Sequence, residues 1–150
     1  MDHLVYLDSR AKEMENLVMG IKSMIIRGAK ARKIPYGIVN KGDVLYFINN
    51  NGEDEVKARG VVSSVINTDE LSVEESFETI IKNQDKLQLP DKQFEKLAGR
   101  RYLVLIGLNY IEQVGPYNID KSSFNSLNDW FPVGCMEEYF CNYDQGKKSV

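Results

Sequence analysis

The chain has 150 residues, of which 43% are apolar, and its 19 Lys and Arg against 22 Asp and Glu give a formal net charge of −3. That length suits one domain, able to bury roughly two thirds of its unfolded surface without disulfides or metals. No apolar run approaches the ~20 residues of a membrane helix, and MDHLVYLDSR lacks the basic start and long apolar stretch of a signal peptide. The expectation is therefore a single domain over 1–150, cytoplasmic and without a membrane partner, ending in a flexible tail over 145–150. Cys135 and Cys141 are the only cysteines and His3 the only histidine. They make no zinc-ligand set, so no metal and no cofactor is expected, and the two thiols read as free in that compartment.

HLVYL, rich in β-branched and aromatic types, reads as a first strand, and Asp8-Ser9 suits a helix cap. Ala11, Met14, Leu17 and Val18 recur at three- and four-residue spacing, predicting a helix from Ser9 to Met19 closed by Gly20. Lys22 to Arg27, short and β-branched around Ile25-Ile26, reads as a strand ended by Gly28. Residues 29–41, punctuated by Pro35 and Gly37, read as an exposed loop. Asp43 to Ile48 and Val56 to Val65 flank the turn signal Asn49-Asn50-Asn51-Gly52 as paired strands, the second with one wet face.

Ser72-Val73-Glu74-Glu75 fits a capping box. The helix it opens runs to about Lys82 with Val73, Phe77, Ile80 and Ile81 as its expected buried stripe. Glu70, Glu74, Glu75 and Glu78 gather where the helix dipole favours negative charge. A short helix follows from Asp91 to Gly99, with Phe94 and Leu97 inward. Tyr102 to Ile111 is the most apolar run and reads as a central strand. Met136 to Tyr143 reads as the last. About six short strands with two or three helices predict an α+β domain on a strongly curved or closed sheet. A doubly wound fold would need a glycine-rich phosphate turn after the first strand, and none is present.

The charge is unevenly placed. Between Glu15 and Asp43 there is no carboxylate, while Lys22, Arg27, Lys30, Arg32, Lys33 and Lys41 all lie inside. A basic segment on an acidic chain is the footprint of an anionic partner, although a solvated lysine-rich loop leaves the same trace.

Gly20, Lys22 and Arg27 in GIKSMIIR match the spacing of the Gly-x-Lys-x-x-Glu-x-Arg signature, and the chain thereby resembles the ASCH family, whose members carry a PUA-like β-barrel. KGDVLYF over 41–47 is similar to that family's Gly-Asp turn into the next barrel strand. The resemblance implies an RNA-binding module, with RNA or a nucleotide as partner in a basic cleft. Lys22 and Arg27 would contact phosphate or a base edge, Lys30, Arg32 and Lys33 would hold the backbone, and Tyr36 would stack on an unpaired base. Packing over the barrel mouth is the competing role for Tyr36, and a salt bridge to Asp43 or to the acidic helix is the competing role for Lys22 and Arg27.

One position departs from the signature: Ile25 stands where it has Glu. ASCH proteins resembling amidohydrolases of acylated cytidine use the motif lysine, a hydroxyl residue at that place and a glutamate from elsewhere. Ile25 can neither attack nor shuttle a proton, and Ser23 points away from Lys22 along a strand. The chain therefore reads as a binder with no catalytic residue. A small hydrolase of a modified nucleoside, with Glu75 or Glu78 swinging toward Lys22, is the alternative. A protein-interaction domain anchored by Trp130, Phe131, Tyr139, Phe140 and Tyr143 is the third. His3 reads as structural.

Overall fold

The computed structural model describes residues 1–124 and 127–141. Among them are six strands, β1 (Asp2–Leu7), β2 (Met24–Ala29), β3 (Val44–Asn49), β4 (Glu55–Asn67), β5 (Tyr102–Asn118) and β6 (Trp130–Gly134). Four α-helices join them: α1 (Glu13–Val18), α2 (Val73–Lys82), α3 (Gln84–Leu87) and α4 (Asp91–Leu97). The strands form one mixed sheet in the order β2-β5-β4-β3-β1-β6, in which β1 and β3 are the parallel pair.

The sheet is curled. In a flat sheet, five inter-strand spacings of about 4.8 Å would hold β2 and β6 about 24 Å apart. Instead Ile25 of β2 and Trp130 of β6 share one interior cluster with Leu45, Phe47, Val104 and Ile106. Arg27 of β2 lies across the remaining gap, donating to the Tyr6 carbonyl of β1 at 2.8 Å and sitting 5.6 Å from the centre of the Trp130 ring. The result is a half-barrel with an α+β, PUA-like architecture.

The period-two alternation of β2 assigns its side chains to two layers. Ile25 and Arg27 face the barrel interior, while Met24 and Ile26 face a second cluster with Leu103, Leu105, Ile80, Leu87 and Leu89, beneath α2–α4. A third cluster, around Leu4, Tyr46, Ile48, Val56, Ile119 and Met136, covers the outside of β1, β3 and β4.

The structure corrects several expectations. The first helix begins at Glu13, because the Asp8 carboxylate accepts the Arg10 and Ala11 N–H groups in a turn and Lys12 takes a left-handed φ of 55°. Gly20, at φ 78°, does close the helix, its N–H bonded to the Leu17 carbonyl. The capping box forms as read, with Ser72 and Glu75 satisfying each other's backbone N–H. The helix behind it is turned differently. Ser76 and Ile80 are buried, while Val73, Phe77 and Ile81 are 62%, 39% and 61% exposed. Ser76 tolerates burial because its hydroxyl accepts the Gly99 N–H at 3.0 Å, a pairing invisible to a hydrophobic stripe. β5 runs on through Gly115-Pro116 to Asn118. The last strand among the described residues is Trp130–Gly134, and Met136–Tyr139 is a 3₁₀ turn. Tyr143 and the tail over 145–150 lie outside the described residues. No helix among the described residues is long and apolar enough to cross a membrane.

Candidate nucleic-acid interface

The end of β2 and the loop after it wall a cleft of about 110 Å³ whose lining includes Arg27, Lys33, Tyr36, Tyr102, Val104 and Asp129. The sheet register explains the grouping. Arg27 pairs with Val104 and Ala29 with Tyr102 across β2 and β5, so the side chains at these alternate positions share the face that carries Arg27. The loop then folds Tyr36 back over the same place, its hydroxyl donating to the Thr68 carbonyl at 2.6 Å and its ring set edge to face against Tyr102.

Arg27 is held before any ligand arrives. Its Nη1 donates to the Ile26 carbonyl at 3.0 Å and its Nη2 to the Tyr6 carbonyl at 2.8 Å, with the guanidinium over the Trp130 ring. Nε lies 3.4 Å from an Asp129 carboxylate oxygen without making a hydrogen bond to it. A guanidinium carries five N–H donors, so two carbonyl partners leave donors for an incoming oxyanion. Lys33 adds a second cation to the cleft and also lines an adjoining hollow of about 240 Å³ beside Ile34 and Trp130. Arg32 is exposed, with its guanidinium carbon 5.6 Å from both the Tyr36 and the Tyr102 ring centres.

Of the six residues singled out from sequence, the structure thus gathers Arg27, Arg32, Lys33 and Tyr36 around one cleft. Lys30 lines a neighbouring pocket with Lys96, Arg100 and Arg101. Lys22 is elsewhere. Its side chain is 2% exposed, its ammonium donates to the Leu87 carbonyl of α3, and it lies 4.0 Å from the Glu13 carboxylate. A phosphate cannot reach it in this conformation. Burial pushes the Lys22 amine below its ordinary range, with Arg27 adding to the shift and Glu13 opposing it.

Sequence reasoning missed Glu13, which accepts from the Asp8 N–H at 3.0 Å and the Gln93 amide at 3.0 Å. The signal was available: Glu13 stands one helical turn before Leu17 on the buried stripe. It also passed over Tyr102, placed in the cleft by the register of β5 against β2, and Asp129, placed there by curling of the sheet. Glu75, a proposed acid for the alternative chemistry, is engaged in the capping box, and Ile25 is fully buried in the interior cluster. Of the aromatic anchors expected at the C-terminal end, the four among the described residues pack within the chain. Trp130 is buried, Phe140 stacks on Tyr117 at 4.4 Å, and Phe131 and Tyr139 flank Phe124.

His3, read as structural, is fully buried between two partners. Trp130 Nε1 donates to its Nδ1 at 3.1 Å, which leaves the proton on Nε2 to donate to Asp43 at 2.8 Å. This chain ties β6, β1 and the turn before β3 together behind the Trp130 ring on which Arg27 rests. Burial raises the Asp43 carboxyl, but hydrogen bonds from the Asn40 N–H and His3 outweigh it and leave the group below its ordinary value of 3.8.

Comparison with solved structures bears on this arrangement. The crystal structure of ASCH from Zymomonas mobilis superposes with a TM-score of 0.67 at 15% identity, over 99% of this chain and 94% of that one. The chain has the ASCH fold. A tyrosine-to-phenylalanine mutant of the same protein superposes equally well, with a TM-score of 0.67 at 14% identity over 99% and 97% of the two chains. No family sequence profile matches, and neither does any curated protein sequence. Within the ASCH fold, Gly20 of the signature caps α1, Lys22 lies beneath α3 beside Glu13, and Arg27 spans the gap in the half-barrel.

Proposed function

We propose that this ASCH-fold protein binds RNA or a nucleotide, single-stranded at the point of contact, in the cleft between the end of β2 and the 30–36 loop. The observation that carries the reading is Arg27. Its guanidinium is oriented by two backbone carbonyls and an indole ring, keeps unspent donors, and stands in a cleft with Lys33, Tyr36 and Tyr102. A planar cation fixed beside aromatic walls suits a phosphate with its neighbouring base. Tyr36 acts as a wall held by Thr68. Base stacking on its ring requires Arg32 to move off it, exchanging one cation–π contact for another π contact. Asp129 opposes an anion in the same cleft.

Equilibrium titration with a fluorescent single-stranded RNA tests this through two substitutions of opposite sign. Arg27→Lys keeps the charge but loses the planar fork, and affinity falls about tenfold, or ~1.4 kcal/mol. Asp129→Asn removes the competing carboxylate and affinity rises. Equal affinities for both variants and the parent would sink the proposal.

A second reading, hydrolysis of an acylated nucleoside, is favoured by one observation. Lys22 and Glu13 form a buried pair in which the lysine is depressed, the direction a general base needs. It requires α3 to lift from Lys22. Release of acetate from an acetylated nucleoside, lost in Lys22→Ala, is the result it predicts.

A further inference from the structure

Around the end of β2 from the Arg27 cleft lies a second charged pocket that the reading above does not use. It has a volume of about 540 Å³ and is lined by Lys30, Lys96, Arg100 and Arg101, with Glu95 as its acidic member and Ala98 and Gly99 between. Lys30, Lys96 and Arg101 are exposed. Arg100 is half-buried, its Nε donating to the Lys96 carbonyl at 3.3 Å. Glu70 lies 3.7 Å from Arg101 and offsets part of that charge. Four cations from two separate segments, Lys30 just after β2 and Lys96, Arg100 and Arg101 from the end of α4 to the start of β5, still outnumber Glu95 and Glu70 beside them.

The two pockets are adjacent. Ala31 lines the first and Lys30 the second, so the walls meet at neighbouring residues, about 3.8 Å apart along the chain. A second pair of neighbours repeats this: Tyr102, whose ring carries the exposed Arg32 guanidinium and which pairs with Ala29 at the end of the β2–β5 ladder, lines the first pocket, and Arg101 lines the second. A ligand passing around this strand end leaves Arg27, Lys33 and the Tyr102 ring in the first pocket and meets Lys30, Lys96 and Arg101 in the second.

We propose that the second pocket holds backbone phosphates of the same ligand, so that the bound species is a single strand of several nucleotides. This rests on the cleft reading above. A duplex fits poorly because the path turns around the end of β2 out of a cleft of only about 110 Å³, where a flexible strand bends and a stiff helix does not.

The test compares a mononucleotide with single-stranded RNA of increasing length, at several salt concentrations, using the parent and a Lys96→Ala, Arg101→Ala double variant. Both positions are exposed, so folding should survive, and thermal unfolding checks it. The expected result is that affinity for the parent rises with length and that the double variant loses this gain. Its log-log salt slope falls by about 1.4, near 0.7 for each single-strand phosphate contact, while its mononucleotide affinity matches the parent's. A length gain that persists in the double variant, or no gain at all, overturns this inference and leaves the cleft reading standing. Failure of the parent to bind either ligand overturns both. Polyphosphate binding as tightly as RNA of equal charge overturns the assignment to nucleic acid.

Discussion

At the scale of single residues, the motif lysine shows how a sequence signature and a folded site can part. Lys22 matches its place in the signature, yet the fold uses it as a buried strut between Glu13 on α1 and the Leu87 carbonyl at the end of α3. Removing one member of a buried pair leaves the other charge without compensation. Lys22→Met should therefore cost about 1–3 kcal/mol in urea unfolding, since it strands the Leu87 carbonyl as well as Glu13, and adding Glu13→Gln should recover part of it. Because the folded-state pKa of Lys22 lies below the unfolded value, its charge weakens the fold at neutral pH. The parent should gain stability relative to Lys22→Met as pH rises through that depressed pKa, and the difference should level off above about 10.4. A parallel pH profile for the two proteins would contradict this account of the lysine.

At the scale of elements, the close seating of α4 on β2 is set by Gly28. A β-carbon there would come within 3.0 Å of a Leu103 methyl, 3.2 Å of a Leu97 methyl and 3.3 Å of the Arg100 Cβ. Gly28→Ala should destabilise by about 1–3 kcal/mol through overpacking, measured by denaturant midpoint. The side chains it crowds, Leu97, Leu103 and Arg100, lie on the α4 side of β2, and Arg100 among them lines the second charged pocket. β1 offers a different test. With Asp43 held below its ordinary pKa, the contribution of the His3–Asp43 contact is present at neutral pH and is lost as pH falls through the folded-state value, beneath 3.8. Asp43→Asn should lower stability at pH 7 and show a shallower acid transition than the parent.

The same elements show what the sequence revealed. β1, β2, β3 and β4, the capping box of α2 and the short α4 were legible because local patterns determine them: alternation, turn residues, a Ser-x-x-Glu pair and a proline start. The orientation of α2 was not legible. Its stripe of Val73, Phe77 and Ile81 is as apolar as a buried one, and the hydrogen bond from Gly99 to Ser76 decides which side faces in. The last strand moved to Trp130–Gly134 because its pairing with β1 is a long-range choice, made by the fit of Trp130 against His3. That Arg27, Arg32, Lys33 and Tyr36 lie together was legible because they are close in sequence and flank one strand end. Tyr102 reaches that cleft through the register of β2 with β5, and Asp129 only through curling of the sheet, and neither pairing is local in sequence.

At the scale of the whole molecule, the half-barrel brings a mildly acidic chain to present one basic edge. The edge comprises the end of β2, the loop after it and the α4–β5 turn, and it surrounds a guanidinium that also bridges the sheet's own gap. In the function proposed, Arg27 would serve both fold and ligand, so its replacement should lower stability as well as affinity. Lys33, exposed and without a bridging role among the contacts described, separates the two: Lys33→Glu should leave the unfolding midpoint within about 0.5 kcal/mol of the parent while weakening RNA binding. The measurement that bears most directly on the central claim is NMR chemical-shift mapping of the full chain with a short single-stranded RNA at low and moderate salt. The account predicts salt-sensitive shifts concentrated at Arg27, Lys33, Tyr36, Tyr102 and Asp129. Shifts confined to α2 or to the β3–β4 turn, or none at any RNA concentration, would contradict it.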